Sequence, residues 1–396
     1  MTTHNRRYDI VLLGATGFTG GLTAEYLAHH APAELRWAIA GRDVARLERL
    51  ASQLALVAPD SPRPGIVQAD ISDPLTLGAL AGSTRLVAST VGPFMEYGEP
   101  VVAACVDAGT DYIDITGEPE FVDRIWLNHH ELARQSGVRL VHCCGFDSIP
   151  ADLGVWYTLR HLPPGTPLTI RGYVRINATP SAGTYHSAVR AFGRVRQSSA
   201  IARRRKSLEA SPAPGRRVGG AGMQIHRVPG GRRWGVPLPI IDPLVVLRSA
   251  RALEEYGPAF RYGQYAVVGS LPKVVGLVGG AGGLLLAAQI PPARDALLRR
   301  MSSGEGPPAQ RRSSSWFRLR FVATVGGEAK EPVVTEVSGG DPGYDETAKM
   351  LGESALCMVS DDLPEVAGQV TTTQAMGDAL VARLQTAGID FRVVDD

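Results

Sequence analysis

Short apolar runs alternate with helical-period segments along the first 142 residues of this chain. Residues 10–13, Ile-Val-Leu-Leu, form a continuous apolar run, the pattern of a strand buried on both faces. A helix over 18–30 follows, with Phe18, Leu22 and Tyr26 on one face. The same unit recurs as a strand over 35–40 and a helix over 43–57, on which Leu47, Leu50, Leu54 and Val57 keep helical spacing. Pro59 and Pro64 interrupt it. Further strands are predicted over 66–69, 85–90, 112–115 and 138–142, with helices over 98–108 and 119–136. Such unbroken alternation predicts an α/β fold with a Rossmann-type, doubly wound parallel sheet over 1–150.

Beyond Pro150 the pattern changes. A short helix over 151–161 leads to a strand over 168–176, and a helix carrying Tyr185 and His186 follows. Residues 317–324 alternate as a strand, and Gly326-Gly327 turns the chain into a partner over 332–337. These predict a second α+β domain over 151–342 with a mainly antiparallel sheet. Helices over 345–360 and 372–387 and a strand over 391–394 make a C-terminal unit over 343–396. One stretch, 266–292, stands apart: residues 274–290 carry no charge. A core or dimer-interface hairpin, a membrane-dipping segment and a full span all remain open for it, although it falls short of the roughly 20 residues a span needs.

The first strand ends in Gly14, Gly17 and Gly20, with Thr16, Phe18 and Thr19 between and beside them. Strand, glycine turn and helix together are the architecture that cradles a dinucleotide pyrophosphate. The second strand ends in Gly41-Arg42-Asp43. A guanidinium suits a ribose 2′-phosphate, so Arg42 favours NADP(H) over NAD, while Asp43 reads as a helix N-cap. Asp70 at the third strand's tip either borders the adenine or caps its own turn. Gly92-Pro93 at the fourth tip should flank the nicotinamide.

Composition changes this picture little. The formal charge of +2 over 396 residues gives no reason to invoke nucleic acid, and the basic cluster 203–206 lacks interleaved aromatics. Four cysteines without metal spacing read as reduced thiols of a cytoplasmic protein, and no metal site is expected. The N-terminus has no apolar signal region.

Two long strand-tip segments, GPFMEYGEPVVAACVDAGTDYIDITGEPEF (92–121) and CCGFDSIPADLG (143–154), join GATGFTG and AGRD in one order. Together they resemble the saccharopine dehydrogenase-like oxidoreductases, nearest the actinobacterial trans-acting enoyl reductases. The resemblance is dense over the first 160 residues and thinner through 237–253 and 343–356. It implies NADP(H), helix 345–360 packed on the nucleotide domain, and reduction of a carbon–carbon double bond in a polyketide-derived lipid precursor, free or carrier-bound. A saccharopine-type amine or imine dehydrogenase and a non-catalytic NADP-sensing regulator are the competing functions. Tyr97, Tyr185 and Asp147 are the candidate proton donors, each with a plain structural alternative. A homodimer and peripheral contact with the inner face of the plasma membrane are further expectations.

Overall fold

The computed structural model describes residues 6–178, 182–210, 212–299, 306–326 and 331–394. The first half builds β1 (Tyr8–Leu13), α1 (Phe18–His30), β2 (Trp37–Gly41), α2 (Val44–Val57), β3 (Gly65–Gln68) and α3 (Pro74–Ser83). It continues through β4 (Thr84–Ser89), α4 (Phe94–Ala108), β5 (Asp111–Asp114), α5 (Pro119–Gln135), β6 (Arg139–Val141) and α6 (Ile149–Leu159). α4 starts four residues earlier than its apolar periodicity suggested, because the chain turns helical directly after Pro93 and accommodates Pro100 inside.

β1 is buried along its whole length. Successive side chains of a strand point to opposite faces. Ile10 and Leu12 therefore enter one core and Val11 and Leu13 the other. The first core continues through α6 into the second sheet, where Ile170, Phe317 and Phe321 belong to the same cluster.

The second half supplies β7 (Leu168–Asn177), α7 (Ala182–Gly193), α8 (Val195–Leu208), β8 (Arg217–Gly220), β9 (His226–Arg227), β10 (Trp234–Pro237) and α9 (Asp242–Ala252). Next come β11 (Ala259–Val268), α10 (Leu271–Ala288), α11 (Pro291–Leu298), α12 (Ala309–Arg312), β12 (Trp316–Val325) and β13 (Val333–Gly339). The chain closes with α13 (Asp345–Ser360), β14 (Gly368–Val370), α14 (Thr372–Thr386) and β15 (Asp390–Val393). The turn between β12 and β13 lies partly outside the described residues.

The first sheet has seven parallel strands in the order β14-β6-β5-β4-β1-β2-β3. Strand order reverses between the neighbours β1 and β4, which places a crevice above the strand tips there. The second sheet runs β15-β13-β12-β7-β11-β10-β9, with β8 on β11. Only β7–β11 and β8–β11 pair in parallel, so this sheet is mixed but mainly antiparallel. α13 packs against α1, β4 and β5. The C-terminal segment gives one strand to each sheet: β14 pairs with β6 and β15 with β13.

Within the apolar stretch, 266–268 complete β11 and the remainder forms α10 and the start of α11. α10 does not enter the core: only Val274 and Ala288 of its residues are buried. A core hairpin needs a buried face, and this helix lacks one.

Candidate active site

The glycine turn is set by close backbone approach. Gly14 has φ +88°, and a Cβ there would lie 2.7 Å from Thr90 Oγ1. A Cβ on Gly20 would lie 2.2 Å from the Gly14 carbonyl oxygen, so α1 meets β1 at a distance only glycine permits. Thr90 Oγ1 donates to the carbonyls of Leu13 and Gly14, both at 3.2 Å, and so holds the turn from the β4 side. Gly17 is exposed at the N-cap of α1, and no side chain caps that helix. The first-turn amides of α1 are thus open to an anion, with Thr16, Phe18 and Thr19 half-buried around them. Phe18 packs edge-on against Tyr344, and Arg312 lies over its ring.

At the tip of β2, Arg42 is exposed, and no carboxylate ion pair involves it among the described residues. Asp43 caps α2 by accepting from the Arg46 amide at 3.0 Å, as its position before the helix predicts. Arg46, one turn after Arg42, reaches back to the Thr16 carbonyl at 3.2 Å. The four-residue spacing of Arg42 and Arg46 is the sequence signal that marks this second cation. Two guanidiniums beside the glycine turn fit a 2′-phosphate. Asp70 accepts from the Ser72 amide and hydroxyl, which hold its carboxyl below the usual range, with nearby Arg42 adding to the effect.

We expect Arg42→Ala with Arg46→Ala to weaken NADPH binding about tenfold to a hundredfold, from the loss of charge-assisted bonds, while NADH binding changes little. Fluorescence titration of the two coenzymes measures both constants.

Gly92 is exposed at the tip of β4, joined to Pro93 by a cis peptide bond. Glu118, buried beyond β5, accepts from the amides of Phe94 and Met95 at 3.2 and 2.9 Å and from Ser187 Oγ at 2.9 Å. One carboxylate therefore ties the β4 tip, the β5 tip and α7 together. Tyr97 is exposed on the first turn of α4. The Tyr185 hydroxyl instead donates to the Leu297 carbonyl at 3.2 Å, and His186 Nε2 lies 3.1 Å from the Leu298 carbonyl. That α7 edge faces α11.

The loop 143–148 carries left-handed backbone at two non-glycine residues, Cys143 (φ 64°) and Ser148 (φ 116°). Such conformations persist where surrounding structure enforces them. Here Asp114 enforces part of it: it accepts from the Thr116 and Cys143 amides and pairs with buried His142 at 2.7 Å. Gly145 is buried against Thr347 and Ile115. The Asp147 carboxyl is set against Gly117, where a Cβ would come within 2.5 Å of Oδ2. Burial pushes Asp147 up to about 6. Its neighbour Asp242, at the start of α9, is pushed up to about 7 by burial and then by Asp147. Asp242 accepts from Ser148 Oγ and Gln264 Nε2 at 3.3 and 2.5 Å. Asp242 carries no local sequence signal of its own, although it lies inside the 237–253 segment of the family resemblance.

Both carboxyls hold protons more tightly folded than unfolded, so stability falls as pH rises from about 4 to about 7. Asp242→Asn removes one of these charges. It should stabilise the protein by about 2 kcal/mol at pH 8 and by almost nothing at pH 4, measured by thermal unfolding at both pH values.

Residues 10–141 match the saccharopine dehydrogenase NADP-binding domain. A Mycobacterium tuberculosis relative is 37% identical, with 99% of each chain covered. The trans-acting enoyl reductase of Mycobacterium bovis is 35% identical with 98% of each covered. The chain belongs to the saccharopine dehydrogenase-like oxidoreductase family. The rat member of that name is 32% identical over 100% of this chain and 99% of its own. The saccharopine dehydrogenase of Saccharomyces cerevisiae has the same fold, with a TM-score of 0.56 at 12% identity, covering 98% of this chain and 100% of its own. Family members of this kind are NADP-dependent oxidoreductases, and so is this chain. The open α1 amides and the paired Arg42 and Arg46 are the features that fit the cofactor.

Proposed function

We propose that the protein reduces a carbon–carbon double bond conjugated to a carbonyl, in a lipid or polyketide-derived acyl chain. One observation carries this reading against an amine or imine dehydrogenase. The arginines beside the strand-tip loops are already neutralised: Arg124 by Glu99 at 3.0 Å, Arg190 by Glu96 at 3.4 Å, Arg194 by Glu120 at 2.5 Å and Arg248 by Asp123. A substrate bearing several carboxylates would find no free cation among these four, whereas an apolar acyl chain needs none. The mycobacterial relative named a trans-acting enoyl reductase points the same way.

The cofactor, when bound, supplies the hydride. The chain supplies the rest. The α1 amides hold the pyrophosphate, and Arg42 and Arg46 hold the 2′-phosphate. Glu118 fixes the β4 tip, at which the exposed Gly92 amide can polarise the substrate carbonyl. Asp147 gives its carboxyl proton to the carbon next to that carbonyl and is left as a carboxylate, which regains a proton from water. One hydride and one proton convert the double bond to a single bond.

The test is NADPH consumption with an enoyl thioester of a long acyl chain, run beside NADP reduction with amino-acid donors. Turnover of the first and not the second is the expected result. Turnover of the amino donors alone would replace this reading with the dehydrogenase, and cofactor binding without turnover would leave a sensor.

A further inference from the structure

We propose that α10 lies in one leaflet of an anionic phospholipid membrane, parallel to its surface, and anchors the protein there. The proposal does not depend on the substrate.

Apart from Lys273, α10 carries no charged residue, yet only 11% of it is buried and its mean hydropathy is 1.6. Leu271, Val275, Val278, Leu285 and Leu286 are 37–67% exposed. At 100° per residue they fall on one outward face. A contiguous exposed patch of this kind marks a surface that something apolar covers. The glycines at 276, 279, 280, 282 and 283 are not there for close packing within the chain, because a Cβ at any of them would meet nothing within 4 Å. In water they weaken the helix. In hydrocarbon no water competes for its backbone hydrogen bonds.

The topology excludes a crossing. β11 precedes α10 and β12 follows it, and both pair with β7. Both ends of the segment therefore return to one sheet on one side. A single crossing would separate them, and α10 is the one helix among the described residues long and apolar enough to cross. The helix can lie on a bilayer but not traverse it.

Charge selects the lipid. α10 carries no acid, and Lys273, Arg294 and Arg299 against Asp295 leave residues 271–299 with three positive charges and one negative, a net +2. Trp234 pairs with Val268 at the end of β11, so the exposed Arg232 and Arg233 lie at the edge from which α10 emerges. Arg227 stacks over the Trp234 ring at 4.4 Å. Tryptophan and cations bordering an apolar helix are the arrangement of a membrane–water interface. The same positive rim opposes the pairing of two copies through this face.

Vesicle flotation of the full chain tests the proposal. The protein should float with vesicles containing phosphatidylglycerol and much less with phosphatidylcholine alone. Val275→Asp with Leu286→Asp should cut the floating fraction about tenfold, and Arg232→Glu with Arg233→Glu severalfold on anionic vesicles only. NADPH binding, unchanged in both variants, shows that they fold. Absence of the wild-type protein from floated vesicles overturns the proposal, as does equal flotation of the double-aspartate variant. A wild-type dimer that these aspartates dissociate, with no vesicle binding, would identify the face as a contact between copies instead.

Discussion

Gly20→Val is expected to abolish measurable NADPH binding, a loss of at least about a hundredfold. A valine Cβ would sit 2.2 Å from the Gly14 carbonyl oxygen, which is backbone and has no rotamer to yield. Gly14 cannot retreat. Its amide is bonded to the Ala40 carbonyl at 3.0 Å, its carbonyl is held by Thr90, and its φ of +88° suits glycine alone. The strain must be relieved by moving α1 away from β1, which withdraws the first-turn amides from the pyrophosphate. Isothermal titration with NADPH reads the affinity. Gly17→Ala is the control: its Cβ would meet only the Gly14 oxygen at 3.3 Å, so the turn should survive with a smaller loss. Near wild-type affinity in Gly20→Val would show that the phosphate is held elsewhere.

Asp147→Asn is expected to lower kcat by roughly 10²–10⁴ with NADPH binding unchanged, the size of a general-acid contribution. The carboxyl ionises near 6, so the wild-type kcat/KM should fall as pH rises through that value and the proton is lost. The asparagine variant should lose that limb of the profile. Tyr185→Phe should leave kcat almost unchanged, because the Tyr185 hydroxyl already donates to Leu297. Tyr97→Phe separates the remaining candidate, since Tyr97 sits exposed on α4. A large loss there, with Asp147→Asn fully active, would transfer the proton to the tyrosine.

The parts of this molecule written as local pattern were legible in the sequence. β1, the glycine turn and α1 are contiguous, and their chemistry depends on neighbours in the chain. β14 was not legible: three residues, Gly368–Val370, carry no periodicity and become a strand only because β6 offers them an edge. β8, β9 and β10 are similarly short and lie among glycines, prolines and arginines. Asp242 could not be singled out because its behaviour comes from burial beside Asp147, a contact between distant segments. The charge-free stretch announced an unusual helix but not its exposure, since hydropathy counts residue types and carries no information about what surrounds them.

The final 30 residues finish both sheets, β14 at one margin and β15 at another. During synthesis, then, neither half can reach its final form until β14 and β15 have left the ribosome, however early β1 and α1 assemble. Removing the tail should be felt in both halves at once, exposing the margin of β6 and the margin of β13 to pairing with other chains. A product terminated before β14 is therefore predisposed to aggregate.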